Sequence, residues 1–291
     1  MPSSGSAPAA AAAPAAAAAM AAALAARPRL VYLPFRAMAE TSRMLLAHGG
    51  VAYDDEAIWG AEFQRRKVSG AFPWGSVPVL QLQERTVAQS GAIARWSARL
   101  AGCYPADPER AAIVDSVYEL GQELCTINPL VNCYVGSDFE RIERHYFSDV
   151  MPQALPQLER ELDRAAAGCA PTGGGASSYL PGEVWFATTR ASLDADSEED
   201  GPTLADFNIF HHLDNAQLLE PDLLHGSPAL QRFQERMLAL PRLAHFLAQR
   251  PELNGIGEDP GLEDRHGVRV TQRSPEGRAW LRDGLWCFED K

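Results

Sequence analysis

The sequence predicts an α/β domain with a mixed four-stranded sheet, followed by an all-helical domain. Up to residue 103, short apolar segments typical of strands are interspersed with helical segments. After residue 103 the strand signals disappear, and apolar residues recur at helical spacing as far as about residue 251. We therefore expect two domains, over residues 28–103 and 104–251.

The first domain is expected to begin with a strand, a helix and a second strand. The apolar run RLVYL at 29–33 is typical of a buried strand. Residues 37–48 favour a helix, and Gly49-Gly50 supply its C-terminal stop. The segment YDDEAI at 53–58 predicts the second strand. A parallel strand pair requires such a crossover helix.

A hairpin and a helix are expected to complete this domain. After a predicted loop at 59–75, VPVLQL at 77–82 and TVA at 86–88 indicate two strands joined by a tight turn. Ser90 is predicted to be the N-cap of an amphipathic helix that ends at Gly102. This order of elements is thioredoxin-like.

The second domain carries clear helix-start signals. Asp107-Pro108 is typical of an N-cap followed by the first helical residue. A long helix is expected over 138–166, and the capping-box type sequence at 203–206, TLAD, predicts the start of another. Pro228 and Pro241 each indicate a further helix start.

The termini differ in composition from the two domains. Residues 1–27 form a low-complexity Ala/Pro tail without charge before Arg27, so we expect disorder, with an unusual targeting peptide as the alternative. The acidic stretch at 194–200 predicts a solvated insertion. The glycine- and charge-rich residues 252–291 are expected to be a loosely ordered C-terminal extension.

Charge and cysteine usage argue against several classes of partner. The chain has 26 Lys and Arg against 38 Asp and Glu, a net charge of −12, and no basic stripe, which argues against a nucleic-acid partner. No segment predicts a membrane span. The five cysteines are odd in number and include no C-x-x-C, and no H-E-x-x-H occurs. These features predict no metal site and a reducing, cytoplasmic location.

Two features of residues 75–96 need an explanation beyond the fold. Pro78 interrupts a predicted strand, although proline cannot donate to a strand ladder. The polar pair Gln89-Ser90 stands directly before a helix. Taken alone, Pro78 is explained by a sheet edge and Ser90 by a helix cap.

Taken together with other segments, these residues resemble the cytosolic glutathione S-transferases, most closely the sigma class. The resemblance runs from about Arg29 to Arg250. It is carried by Tyr32 with Glu40 eight residues on, GSVPVL at 75–80, QSGAIARW at 89–96, AIVD at 112–115, TLAD at 203–206 and PDLL at 221–224. Six matches in the family order, with the family spacing from Pro78 to Gln89, are far more specific than any one of them.

The resemblance implies glutathione as co-substrate, with no metal. Val77, before a cis-proline at Pro78, would pair with the cysteinyl part of glutathione as an added strand does. Gln89 and Ser90 would hold the γ-glutamyl carboxylate, Ser90 with a backbone N–H at a helix N-terminus. The further glutathione-binding residues that it implies are Tyr32, Arg65, Gly75 and Ser76.

The resemblance assigns catalysis to Tyr32. A free thiol has a pKa of roughly 8.5, so little of it is thiolate at neutral pH. A phenol O–H donating to the sulfur favours the charged form, and a shift of about two units requires roughly 2.7 kcal/mol of preferential thiolate stabilisation. The alternative is a buried strand tyrosine whose hydroxyl is merely hydrogen-bonded.

Some positions depart from the sigma-class pattern. Counting back from Pro78 without a gap aligns Arg65 with a family tryptophan and Ser69 with a family lysine; a two-residue gap would align Phe63 and Lys67 instead. Ser76 replaces another common lysine, and Met38 replaces an arginine of the prostaglandin D synthases of this class. The pairs Arg65/Ser69 and Phe63/Lys67 both remain open.

The function implied is that of a homodimeric glutathione transferase of the detoxifying type, acting on small hydrophobic electrophiles. Phe35, Met38 and Tyr118 would contribute to the electrophile pocket, and Glu119 aligns with an acidic residue that reaches the partner subunit's glutathione in related dimers. Two alternatives are a non-catalytic binding or structural protein of this fold and a glutathione-dependent isomerase of the prostaglandin D synthase type.

Overall fold

The structure of the 291-residue chain is a computed structural model that describes most of both domains. The described residues are 27–33, 35–58, 60–83, 85–133, 139–170, 177, 179–188 and 201–250, with the strand residues 262–263, 269–270, 279–282 and 285–288. The expectations for the alanine-rich tail, residues 1–26, and for the acidic stretch at 194–200 fall outside these residues.

A mixed four-stranded sheet forms the first domain, as predicted. Its strands are β1 (Arg29–Tyr32), β2 (Asp54–Ala57), β3 (Val79–Leu82) and β4 (Arg85–Ala88), in the order β2-β1-β3-β4. Strand β1 is parallel to β2, whereas β3 is antiparallel to both β1 and β4. The predicted crossover and hairpin are therefore both present.

Three helices accompany this sheet: α1 (Ala37–Gly49), α2 (Gly60–Val68) and α3 (Ser90–Leu100). Helix α1 ends as predicted, because Gly50 adopts the left-handed conformation (φ 65°) that glycine favours. The prediction of a loop throughout 59–75 is wrong, since it contains α2. Glu62 forms ion pairs with Arg65 and Arg66 one turn away, and Phe63 packs on Phe72, which together stabilise this helix.

The second domain is helical in its described part. Helix α4 (Pro108–Gln122) begins as predicted, with Asp107 Oδ1 accepting a hydrogen bond from the Arg110 N–H at 2.8 Å. It continues through a 3-10 turn and a π-helical segment. The remaining helices are α5 (Phe139–His145), the π-helical segment Tyr146–Val150, α6 (Met151–Gly168), α7 (Leu204–Ala216), α8 (Pro228–Leu238) and α9 (Pro241–Gln249).

Helix α7 lies at the centre of the second domain, with every residue except Asp214 buried. The predicted capping box is present at its start. The fully buried Asp206 carboxylate accepts hydrogen bonds from the Thr203 N–H (2.7 Å), the Thr203 hydroxyl (2.7 Å) and the Phe186 N–H (3.0 Å). The box therefore fixes both the helix start and the segment that precedes it.

Arg250, which follows α9, joins three helices. Its guanidinium donates to Glu40 Oε1 on α1 at 3.3 Å and to Asp214 Oδ2 on α7 at 2.7 Å. Glu40 also accepts from Arg43 at 3.2 Å, and Arg43 in turn binds Asp55 at 2.7 Å. This buried network links the first domain to the end of the second.

We expect the Arg250→Ala substitution to lower the free energy of unfolding by about 2 kcal/mol. Breaking a buried ion pair is costly, but Glu40 would keep Arg43 as a partner and Asp214 is partly exposed. Urea unfolding measures the change. Arg164→Ala is the control, because its pair with Glu161 is exposed and should contribute well under about 1 kcal/mol. Equal losses of unfolding free energy in the two variants would contradict the proposed contribution of this network to stability.

Beyond residue 250 the structure describes two short antiparallel pairs. They join Leu262–Glu263 (β5) to Arg269–Val270 (β6), and Ala279–Arg282 (β7) to Leu285–Phe288 (β8). The sequence pattern did not indicate these strands. The predicted domain limits and the loose order of 252–291 remain predictions. None of the helices in the described ranges is long and apolar enough to cross a membrane.

Candidate active site

The register of the sheet brings the predicted site residues to one end. Val31 of β1 lies opposite Val79 of β3, and Val79 lies opposite Ala88 of β4. One residue further along, Tyr32, Pro78 and Gln89 therefore follow one another across three adjacent strands. Strands are about 4.8 Å apart, so this row spans roughly 10 Å from β1 to β4.

Tyr32 is the last residue of β1 and is almost fully buried. Its hydroxyl oxygen accepts a hydrogen bond from the Met38 N–H in the first turn of α1, at 3.3 Å. The Arg43 guanidinium lies 5.8 Å from the centre of its ring. The phenol is therefore held between the end of a strand and the positive end of a helix.

Arg43 also shapes the turn that follows Tyr32. Its guanidinium donates to the Phe35 carbonyl at 2.5 Å and binds Asp55 and Glu40. Burial opposes its charge, but Asp55 and Glu40 together raise the pKa of Arg43 above the ordinary value, so it remains a cation. Arg43 was not among the residues predicted for the site. The Met38 amide could not be predicted, because a backbone donor leaves no signal in the side-chain pattern.

The segment before β3 has an unusual backbone. The Val77–Pro78 peptide bond is cis, as the resemblance implied, and Gly75 has a φ of 66°. Val77 is half-buried and Pro78 is buried, while Gly75 and Ser76 lie on the approach to this bond. The segment thus reaches the same end of the sheet as Tyr32.

Gln89 is also in a conformation that non-glycine residues rarely adopt, with a φ of 76°. Such residues cluster at functional sites, where the surrounding structure holds them. The prediction that Ser90 is the N-cap is wrong: Gln89 is the N-cap and Ser90 is the first residue of α3. Among the described residues no side chain caps this helix start, so its first N–H groups lack a side-chain capping partner.

The two alternatives around α2 occupy different places. Arg65 has a largely exposed side chain that pairs with Glu62. Lys67 lies beside Gly75, on the approach to β3: a Cβ atom added at Gly75 would be 3.7 Å from the Cε atom of Lys67. Its ammonium nitrogen is 5.8 Å from the centre of the Phe63 ring. Of the candidates on this helix, Lys67 is the cation beside Gly75.

A small cavity lies between α1, α3, α4 and α7, and both Met38 and Tyr118 line it. Tyr118 is buried, and burial is the main cause that raises the pKa of its phenol to about 12. Phe35 is buried in the cluster around Tyr32.

Glu119 is exposed and pairs with Arg95 of the same chain at 2.7 Å. Within the described ranges, no group of three or more His, Cys, Asp or Glu residues is arranged to hold a metal ion.

A thioredoxin-like domain with this row of residues at one end of its sheet, followed by a helical domain, defines the two-domain architecture of glutathione transferases. A family model described as "Glutathione S-transferase, C-terminal domain" matches residues 199–250. The chain is 29% identical over 234 residues to a glutathione S-transferase P of Caenorhabditis elegans, covering 79% of this chain and 98% of that protein.

Other relatives agree with this assignment. A hematopoietic prostaglandin D synthase of Gallus gallus is 26% identical over 226 residues, covering 77% of this chain and 96% of that protein. The solved structure of a Pi-class glutathione S-transferase of Onchocerca volvulus has a TM-score of 0.62 at 23% identity, covering 79% of this chain and 99% of that one, and so shares its fold. Over most of its length the chain is therefore similar to glutathione S-transferases, and it shares their fold.

Proposed function

We propose that this protein is a glutathione transferase in which Tyr32 stabilises the glutathione thiolate. The observation that carries the proposal is the row of Tyr32, Pro78 and Gln89 across three strands. An extended tripeptide is about 10 Å long, which is also the approximate length of this row. One tripeptide can therefore contact all three strand ends at once.

The ends of this row differ in chemistry in a way that orients glutathione. The uncapped start of α3, beginning at Ser90, offers backbone N–H groups and a positive dipole to the γ-glutamyl carboxylate. Gln89 adds a polar side chain there. The backbone of Val77 is suited to pair with the cysteinyl residue, which directs its sulfur towards Tyr32 on β1.

The reaction then follows from the hydroxyl of Tyr32. The thiol proton leaves to solvent, and the phenol O–H donates to the remaining thiolate, which is a charge-assisted hydrogen bond. The thiolate attacks an electrophilic carbon, so that a C–S bond forms while a leaving group such as chloride departs with its electron pair. Phe35, Met38 and Tyr118 are the residues proposed to contact the electrophile.

The glycine carboxylate of glutathione requires a cation at the Gly75 end of the site. The position of Lys67 beside Gly75 favours the Phe63/Lys67 alternative over Arg65/Ser69, because the Arg65 side chain is paired and largely exposed. Both alternatives were open on sequence, and the proposal adopts the one that requires a two-residue gap before Pro78.

We expect the Lys67→Met substitution to raise the KM for glutathione about fivefold with little change in kcat. This corresponds to roughly 1 kcal/mol for one solvent-accessible ionic contact. Arg65→Met is the matched comparison, on the same helix and with the same change in charge, and its KM should stay near that of the wild type. The reverse pattern would assign the contact to Arg65.

A homodimer of the sigma class is the proposed assembly. Trp74 and Val68 are large apolar residues on the surface of the first domain and are 72% and 87% exposed. Exposed apolar residues of this size are typical of surfaces that a partner covers. The cytoplasmic location remains a prediction, supported by the free Cys103 and Cys125 among the described residues.

A glutathione-dependent isomerase is the second candidate, and the relatives named prostaglandin D synthase favour it. An isomerase would return glutathione unchanged, whereas a transferase consumes it. Met38, at the position of an arginine in that class, weighs against the prostaglandin reaction.

The experiment is conjugation of glutathione to a chlorinated nitrobenzene, combined with retention on immobilised glutathione. A transferase is retained and releases chloride in proportion to the thiol consumed. Retention without turnover of any electrophile would support the non-catalytic binding protein. No retention and no turnover would contradict a glutathione site altogether.

A further inference from the structure

The peptide group that donates to Tyr32 is also held from the second domain. The Met38 N–H belongs to the same planar peptide as the Ala37 carbonyl. His211, on α7 of the second domain, lies with its Nε2 atom 3.0 Å from that carbonyl oxygen. One peptide thus accepts from His211 on one side and donates to the Tyr32 hydroxyl on the other.

The protonation state of His211 fixes the direction of this contact. Burial foremost, and then the nearby Arg250, Arg36 and Arg43, lower the pKa of His211 to about 3, so the ring is neutral near pH 7. A neutral imidazole has one N–H, and a carbonyl oxygen can only accept. His211 therefore carries its proton on Nε2 and donates it to Ala37.

The same turn has a second anchor and a strained residue. The Arg36 N–H donates to Oδ1 of the fully buried Asn132 at 2.9 Å. Ala37 has a φ of 27°, which lies in the left-handed region and is costly for a residue with a Cβ. Such a conformation persists only when neighbouring groups hold it, and Asn132 and His211 do so from either side.

We propose that His211 is a positioning residue for thiolate formation, acting through the Ala37–Met38 peptide on the hydroxyl of Tyr32. The inference rests on the proposed role of Tyr32. Hydrogen bonds in a chain polarise one another, so donation to the Ala37 carbonyl makes the Met38 N–H a stronger donor. That bond in turn makes the Tyr32 O–H a stronger donor to the sulfur. The second domain thereby tunes the catalytic tyrosine of the first.

The test measures the pKa of the bound glutathione thiol, from thiolate absorbance and from the pH dependence of kcat/KM. We expect His211→Leu to raise this pKa by about half a unit, which lowers kcat/KM about threefold at pH below the wild-type pKa, with little loss at high pH. His211→Gln, whose amide can still donate to Ala37, should restore most of the wild-type value and guards against misfolding of the leucine variant.

His212 supplies the matched control. It is the next residue on α7 and is equally buried, but neither of its ring nitrogens has a hydrogen-bond partner in the described part of the chain. His212→Leu should therefore leave the thiol pKa unchanged. A thiol pKa that stays at the wild-type value in His211→Leu, or that rises equally in His212→Leu, would overturn the inference.

A double-mutant cycle separates this inference from the proposed function. If His211 acts through the phenol, His211→Leu should have no further effect on the thiol pKa in a Tyr32→Phe background. An equal effect in both backgrounds would show a route that bypasses the tyrosine and would refute the inference alone. A Tyr32→Phe variant with the wild-type pH profile would instead refute the role of Tyr32, whatever His211 does.

Discussion

Replacing Tyr32 with phenylalanine is expected to lower kcat for conjugation about 100-fold at about pH 5.5 and below. The substitution keeps the ring that packs in the core around β1 and removes only the O–H that stabilises the thiolate. A loss of two pKa units corresponds to roughly 2.7 kcal/mol, and hence to this factor. The rate should recover as the pH approaches about 9, where an unassisted thiol ionises by itself.

Tyr146→Phe is the matched control for this loss. Tyr146 is fully buried, and its hydroxyl has no hydrogen-bond partner among the described residues. It lies in the π-helical segment before α6, outside the proposed site. We expect its pH–rate profile to match that of the wild type. A Tyr32→Phe variant with unchanged turnover at saturating glutathione would remove the hydroxyl from the mechanism.

Replacing Asp206 with alanine is expected to cost about 3 kcal/mol of folding free energy. The carboxylate accepts from three donors on Thr203 and Phe186, and the site is fully buried. Each buried donor left without a partner costs roughly 1–3 kcal/mol. Urea unfolding measures the loss. A change below about 1 kcal/mol would contradict the proposed contribution of this capping box to stability.

A second prediction for Asp206 is the direction in which the free energy of unfolding changes with pH. Burial is the main cause that raises the pKa of Asp206 above its ordinary value of about 3.9. The folded state then binds this proton more tightly than the unfolded state, so the contribution of Asp206 to stability is largest below the ordinary pKa and falls as the pH rises through the raised value. Asp206→Asn cannot ionise, so the stability of the wild type relative to this variant should decrease over that pH range. A constant difference would contradict the raised pKa.

Much of the fold follows from local signals in the sequence. Asp107-Pro108, Thr203 with Asp206, Pro228 and Pro241 each begin a helix because capping and the missing proline N–H act within one turn. Helix α2 was missed because the glycines, prolines and tryptophans around it obscured the packing of Phe63 on Phe72. That contact depends on tertiary structure, which outweighs local propensity.

The candidate site also contains residues that the sequence indicates and contacts that it does not. The side chains of Tyr32 and Gln89 stand out in sequence, because a polar residue at the end of a strand or the start of a helix has few structural reasons to be there. The contacts that prepare Tyr32 do not stand out: the Met38 amide is a backbone group, and His211 comes from 179 residues further along the chain. Only the packing of α1 against α7 brings them together.

The most direct test of the central claim is a crystal structure of the protein with glutathione bound. We predict that the tripeptide lies across the ends of β1, β3 and β4, with its glutamyl carboxylate at Ser90 and its sulfur within about 3.5 Å of the Tyr32 hydroxyl oxygen. A sulfur atom beyond hydrogen-bonding distance of that oxygen, or a tripeptide bound elsewhere, would contradict the claim that these strand ends form the active site.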